Sequence, residues 1–394
     1  MPAHRVLTAG SHTRFAHPFF TDAPPASRQP FKGDKRMTDW SKKQLGPIFP
    51  TPGDRRMGLA DIIGNDGVKE IEDLGEIRFH SVGDSGVNHA EKAEEVAEEM
   101  SVDYHPNAGG LNPAFLFHLG DVVYGPDKQS HYGERFYRPY RKYPGKILAI
   151  AGNHDGEAKN PADNPSLDAF RKNFCADRAA VPLQASGSGI FRMTMTQPGV
   201  YWLLDAPFVN IVGLYSNRLE NPGFLEGIDA KGKEDDSQIV WLKKTLNSIA
   251  RQKKKKALII ATHHPPYSQG GHSGSTEMNA TIDQVCVDAG VTPDAFLSGH
   301  AHNFQRYTRR RNGKEIPYII AGTGGISPQK VDTAAGQPLD NANDVTFEAS
   351  HKSYGYLMIM VSAAQLKIEF WPLESTSHKP FDSVAVDLNT GTIR

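Results

Sequence analysis

From residue 76 onward the chain alternates short apolar runs with tight clusters of Asp, Asn and His. Five runs share this form. Ile77–Val82 leads into Gly83-Asp84, and Phe115–Leu119 into Gly120-Asp121. Ile147–Ala151 leads into Gly152-Asn153-His154-Asp155, Leu258–Ala261 into Thr262-His263-His264, and Ala295–Leu297 into Ser298-Gly299-His300-Ala301-His302. Apolar runs this short, with little alternation, predict strands buried on both faces of a sheet. The segments between them carry a helical period. Ala90–Met100 is rich in Ala and Glu, and Ser237–Ala250 aligns Ile239, Leu242, Leu246 and Ile249 behind Ser237 as a cap. Thr281–Ala289 is a shorter helix with Ile282, Val285 and Cys286 on one side. Strand–helix alternation predicts an α/β fold with parallel pairing and right-handed crossovers. Ligands in such sheets bind beyond the carboxyl ends of the strands, where all five polar clusters sit. Beyond Lys314 the pattern returns to strands: Ile316–Ala321, Tyr356–Val361, Leu366–Trp371 and Ser383–Leu388.

Residues 1–56 differ from the rest. They hold eight prolines and ten Lys/Arg against four Asp/Glu, with no clear period, which predicts an extended arm. Phe15, Phe19, Phe20, Trp40 and Phe49 give that arm apolar points at which to dock on a domain spanning residues 57–394. The Lys253–Lys256 run follows a helix and reads as a solvated end that complements the helix dipole. With a net charge of −1 over 394 residues, the chain has no global field for nucleic acid or an anionic membrane. A small phosphorylated substrate remains compatible, because a metal can supply positive charge locally. Two cysteines, Cys175 and Cys286, argue against a disulfide framework and against a thiolate metal site. No apolar leader or membrane-length stretch is visible, so the expectation is a cytoplasmic protein.

Any metal here must therefore use oxygen and nitrogen ligands. The strand ends offer Asp84, Asp121, Asn153, His263, His300 and His302, types that satisfy hard and borderline divalent ions. Alone, each has a plainer account: an Asp at a strand end usually caps a helix, and a single His is usually a satisfied polar group. Five such clusters in one chain, flanked by Gly83, Gly86, Gly120, Gly152 and Gly299, are difficult to produce by chance. Gly322-Thr323-Gly324-Gly325 lacks dinucleotide or P-loop spacing and reads as a turn beside the site.

The set Asp84-Ser85-Gly86, Gly120-Asp121, Gly152-Asn153-His154-Asp155, His263 and Gly299-His300-Ala301-His302 resembles the calcineurin-like metallophosphoesterase superfamily, with the blocks in order. Three features sharpen the resemblance towards the purple acid phosphatase branch: Asp84-x-Gly86, Gly120-Asp121-x-x-Tyr124, and His272 nine residues after His263. The resemblance implies a four-layer sandwich of two mixed β-sheets flanked by helices, with the active site at C-terminal strand ends. It also implies two metal ions, with Fe, Mn and Zn all compatible with the ligands. On that pattern Asp121 bridges the pair. Asp84, Tyr124 and His302 complete one site, and Asn153, His263 and His300 the other. His154 and His272 face the substrate with His264 behind them, and Asp155 orients His154. The implied reaction is hydrolysis of a phosphate monoester by metal-activated water. A phosphodiesterase acting on cyclic nucleotides, nucleic acid or phospholipid stays open, as does a non-catalytic scaffold.

Overall fold

The computed structural model describes residues 45–46, 54–87, 90–125, 128–157, 166–229, 231–331, 333–340, 344–373 and 379–394. The docking residues expected in the arm lie outside them. Of its C-terminal part, Leu45 is buried, and the Trp241 indole donates to the carbonyl of Asp54 at 3.0 Å.

Two mixed sheets dominate the described residues. One has seven strands, in spatial order Thr392–Ile393, Asp382–Asp387, Gln365–Pro372, Gly355–Ser362, Glu76–Val82, Phe115–His118 and Lys146–Ala149. The other has nine: Arg56–Gly58, Trp202–Asp205, Val209–Gly213, Ala257–Ala261, Ala295–Ser298, Lys314–Ala321, Phe304–Arg311, Val345–His351 and Gln337–Asp340. The five strands that carry the polar clusters are thus divided, three in the first sheet and two in the second. Within each group they pair in parallel, as strand–helix alternation demands. Lys314–Ala321 joins the nine-stranded sheet in parallel beside Ala295–Ser298, and other C-terminal strands add by antiparallel pairing, including Phe304–Arg311 on Lys314–Ala321 and Gly355–Ser362 on Glu76–Val82.

Strand alternation explains why these runs are mostly apolar, with Arg78, His80 and Ser81 of Glu76–Val82 among the exceptions. Ile77, Phe79, Phe117 and Leu148 from one sheet share a core with Trp202, Leu204, Ile211, Ile259, Leu297 and Ile319 from the other. Their neighbours Leu116, Ile147, Leu203, Val212, Leu258, Ile260, Phe296 and Ile320 face the second core, beneath the helices. Period-two strands buried on both sides leave few positions for polar residues before the strand ends, and in Glu76–Val82 those present are bonded, His80 to Tyr143 and Asp103 and Ser81 to the Phe117 carbonyl.

The helices use the complementary period. Glu91–Val102 buries Ala93, Val96, Ala97 and Met100, an i, i+3, i+4, i+7 stripe. Ser237–Ala250 buries Trp241, Leu242 and Leu246, so its inner face turns further towards Trp241 than the Ile239–Ile249 stripe expects. Ser237 is the first residue of that helix rather than its cap, and its N–H is received by Asp235 Oδ1 at 3.0 Å. The last helix begins at Thr276, five residues before the expected Thr281, because Met278 extends its buried face. Lys253–Lys256 is not simply solvated. Lys256 Nζ reaches Asp205 Oδ1 at 2.5 Å, Lys255 Nζ the Leu388 carbonyl at 3.1 Å, and Lys254 lies over the Phe208 ring. The run clasps neighbouring strands at the sheet edge.

Phe117 is fully buried between the sheets, its ring edge-on to Trp202 at 5.3 Å. Phe117→Ala is expected to lower unfolding free energy by about 3–5 kcal/mol, the usual cost of deleting a core aromatic ring. Denaturant titration checks this. A loss below about 1 kcal/mol, typical of surface positions, would contradict an inter-sheet core at this site.

Candidate metal centre

Each candidate donor stands two to six residues beyond a strand end, and two backbone features aim them inward. The first is left-handed geometry at non-glycine residues: Asp84 (φ 63°), Asp121 (φ 52°) and His300 (φ 68°). Such conformations cost about 1–3 kcal/mol each and persist only where their surroundings enforce them. The second is close approach. A Cβ on Gly152 would lie 2.1 Å from Asp121 Oδ1, and one on Gly120 (φ 97°) would lie 2.6 Å from His263 Nδ1. Glycine is required at both, because the side chain of the next block occupies the space a Cβ would need. Backbone bonds then tie the blocks together, with Asp84 N–H to Gly120 O at 3.0 Å and Gly299 N–H to His263 O at 3.0 Å.

The residues expected to bind metal come together in one buried cluster. Asp121, His263 and His300 each present a ligand atom within 4.8 Å of the others. His263 Nε2 lies 3.4 Å from Asp121 Oδ1 and 3.1 Å from Asn153 Oδ1, while its Nδ1 meets the Leu119 carbonyl at 2.8 Å. That carbonyl fixes the proton on Nδ1 and leaves Nε2 as the donor atom. On the other side of Asp121, Tyr124 OH donates to Asp84 Oδ1 at 3.1 Å and lies 3.4 Å from His302 Nε2, which is 3.7 Å from the same Asp84 oxygen. Asp84 Oδ2 accepts the His300 N–H, and Asp121 Oδ1 accepts the His154 N–H.

The surrounding residues depart from expectation in two places. Asp155 does not turn to His154. Its carboxylate accepts backbone N–H bonds from Val122, Val123 and Gly152 at 2.9–3.2 Å, so it braces the Gly120 and Gly152 loops against each other. The carboxylate beside His154 Nδ1 is Glu157, at 2.9 Å. His264 is fully buried, with Nδ1 on Ser216 Oγ and Nε2 on the Leu219 carbonyl, both at 2.8 Å. Both ring nitrogens are committed within the protein, and the ring supports His300 from behind at 4.4 Å. It therefore offers nothing to a substrate. His272 does overhang the centre, its ring 4.2 Å from His300 and 5.0 Å from His302.

Glu220 and Asn221 escaped the sequence reading. Glu220 Oε1 lies 3.2 Å from His272 Nδ1, and its Oε2 accepts from Asn153 Nδ2 at 3.3 Å. Asn221 Oδ1 faces His300 Nε2 at 3.3 Å and accepts the Ser273 N–H at 3.1 Å. Both lie on the segment after the strand Val209–Gly213, seven and eight residues beyond its end, too far for a rule that looks for polar clusters directly at strand ends.

The electrostatics test whether this pocket suits cations. Burial pushes the Asp84 carboxyl up to about 7, opposed by the His263 charge and reinforced by that of Asp121. Burial opposes a charge on His263 as well, but Asp121 and Asp84 hold that imidazole protonated up to about 9. Burial, then the charge of His272, brings His302 down to about 3, and burial with the neighbouring imidazoles keeps His300 neutral. Two buried carboxylates and neutral imidazoles sharing one small space are the donor set that cations relieve, and in their absence protons take that place. The residues fit a metal centre.

This geometry defines a class, and comparison with known proteins agrees. Residues 77–304, more than half of the chain, match the model of the calcineurin-like phosphoesterase family. The chain belongs to that family of hydrolases. Purple acid phosphatase 18 of Arabidopsis thaliana is 34% identical over 95 residues, covering 22% of this chain and 21% of the relative. The match thus spans about a fifth of that protein. The structure of purple acid phosphatase PPD1 from yellow lupin (Lupinus luteus) seeds superposes with a TM-score of 0.54 at 14% identity, covering 79% of this chain and 54% of the other. GAP50, described as the anchor in the inner membrane complex of Plasmodium, gives 0.54 at 16% identity over 78% and 87%. At such identities the two structures attest the fold. Among the described residues, no helix is long and apolar enough to cross a membrane.

A pH dependence follows for metal-free protein. Asp84 and His263 bind protons more tightly folded than unfolded, so both stabilise that form at low pH. The Asp84 share fades as pH rises from 3.8 through about 7, and the His263 share from 6.5 through about 9. The Tm advantage of metal-loaded over chelator-stripped protein should therefore widen as pH rises across that range. A gap that stays flat or narrows in a thermal melt series would contradict the assignment.

Proposed function

We propose that this chain is a dinuclear metal-dependent phosphomonoesterase. The observation that supports the reading is the buried cluster of Asp121, His263 and His300, with Asn153 on His263 and with Tyr124 and His302 on Asp84. We read Asp121 as the carboxylate shared by an Asp84–Tyr124–His302 set and an Asn153–His263–His300 set. A shared carboxylate between two donor sets is the arrangement that holds a cation pair. Cations held there would lower the pKa of a water and offset phosphoryl charge.

The protein's own groups supply the rest. His154 stands on the helical turn Asn153–Gly156 beside Tyr124, and His272 on the segment 262–275 beside His300 and His302, positions that suit contact with a substrate. Glu220 orients the His272 ring by its bond to Nδ1, leaving Nε2 for a phosphoryl or leaving-group oxygen. Asp155 keeps the Asn153 loop registered on the Asp121 loop. Tyr124 is held well above the usual phenol range, first by burial and then by Asp84 and Asp121. It loses its proton only to a strongly polarising ion, so a visible charge-transfer band would mark ferric iron at that site, and colourless protein Mn or Zn.

Diester hydrolysis would use the same donors, and a scaffold would be expected to have shed some of them. Every position of the family pattern is filled here, which favours an enzyme. Asp121→Ala should strip metal, measured by elemental analysis, and lower monoester turnover at least about 10³-fold. The fold should survive, as judged by circular dichroism. Retained turnover in metal-free protein, or hydrolysis confined to diesters in a mixed substrate panel, would overturn the monoesterase reading.

A further inference from the structure

A second cavity, of about 410 Å³, lies where Gly145–Ile147 meets the segment 190–196, and none of the metal-site residues lines it. The volume falls in the range of small-molecule pockets, about 300–1,000 Å³. Three cations and one acid line it: Arg141, Lys146, Arg192 and Asp61. Arg141 is paired with Glu94, and Asp61 Oδ2 accepts the Gly58 N–H at 2.8 Å. Lys146 and Arg192 have no carboxylate partner among the described residues.

Arg192 is the informative one. It is inserted beneath the surface with Nη1 on the Gly145 carbonyl and Nη2 on the Tyr140 carbonyl, both at 2.9 Å, and a further bond to Tyr143 O. Its charge is met by carbonyl dipoles alone, and its Nε finds no partner among the described residues. Burial lowers its pKa from the ordinary value, the mark of an uncompensated cation. The two residues flanking it line the same cavity but stay in water: Phe191 is 82% exposed and Met193 57%. Large apolar side chains left in water around a buried cation form a two-part surface, one part seeking an anion and the other an apolar body.

We propose that this cavity binds a small anionic amphiphile, its acid group drawn by Arg192 and Lys146 and its apolar body covering Phe191, Met193 and Ile190. The ligand class is a medium-chain or aromatic acid, and the site is independent of the phosphoesterase centre. Charge provides orientation, and burial of apolar surface provides most of the affinity.

Titration calorimetry of octanoate and octanol into the metal-loaded full-length protein tests this. Lys146 is exposed and lies outside the catalytic machinery, so Lys146→Glu leaves the fold and esterase centre intact. Octanoate should bind at one saturable site, about tenfold more tightly than octanol. Lys146→Glu should weaken octanoate about fivefold and leave octanol unchanged. Phe191→Ala should weaken both. Equal affinity for acid and alcohol, no saturable binding, or insensitivity to Lys146→Glu would overturn the proposal. So would displacement of octanoate by inorganic phosphate, which would put the acid on the metal centre.

Discussion

Two carboxylates buried where two sheets meet govern the rest of this structure. Asp84 and Asp121 are removed from water, close to each other, and surrounded by imidazoles that burial keeps mostly neutral. Left as anions they would be costly, since an ionised group in a low-dielectric interior needs a partner charge. Protons on Asp84 and His263 supply one answer and cations a better one. The local features follow from that demand. Left-handed backbone at Asp84, Asp121 and His300 turns side chains inward, and Gly120 and Gly152 clear the space they enter. Asp155 binds three backbone amides so that two of the loops cannot drift apart.

The sheets make such crowding affordable in conformational terms. A centre assembled from loops alone would lose its geometry to loop motion, whereas here each donor stands within six residues of the end of a strand. The inter-sheet core fixes the relative height of the strand ends, because Phe117, Leu148, Ile259 and Leu297 interlock there. His263 illustrates the coupling. It rises from the nine-stranded sheet, yet its Nδ1 bonds the Leu119 carbonyl of the seven-stranded one.

Much of this was legible in the chain because burial on both faces removes ambiguity. An apolar run ending in Gly-Asp or Gly-His marks a strand and its end together, and the strand bounds found in the structure differ from the runs by only one or two residues. What sequence could not convey was partition and direction. Nothing in the period separates Glu76–Val82 from Ala257–Ala261, although they belong to different sheets. Side-chain orientation was equally hidden. Asp155 lies beside His154 in sequence, but the α-helical turn Asn153–Gly156 swings its carboxylate back to the Gly152 amide. His264 lies beside His263 but points to Ser216 and Leu219. Glu220 and Asn221 were missed because they lie seven and eight residues beyond the end of their strand, Val209–Gly213, rather than directly at it.

The same geometry divides the centre into two tiers with different tolerances. The proposed metal donors Asp84, Asp121, His263 and His300 are nearly sealed from solvent, and each depends on a neighbouring block for its aim. A change in one disturbs several, so this tier is coupled and resists variation. The residues above it rest on side-chain contacts, His272 on Glu220 and the rings of His300 and His302, and His154 on Glu157 and Tyr124. The His272–Glu220 and His154–Glu157 pairs are half-exposed, sit outside the strands, and can be exchanged without moving one. The donor pattern that identifies the family lies in the sealed tier, which is why it reads so sharply, while the open tier is where such a fold can change without losing the family.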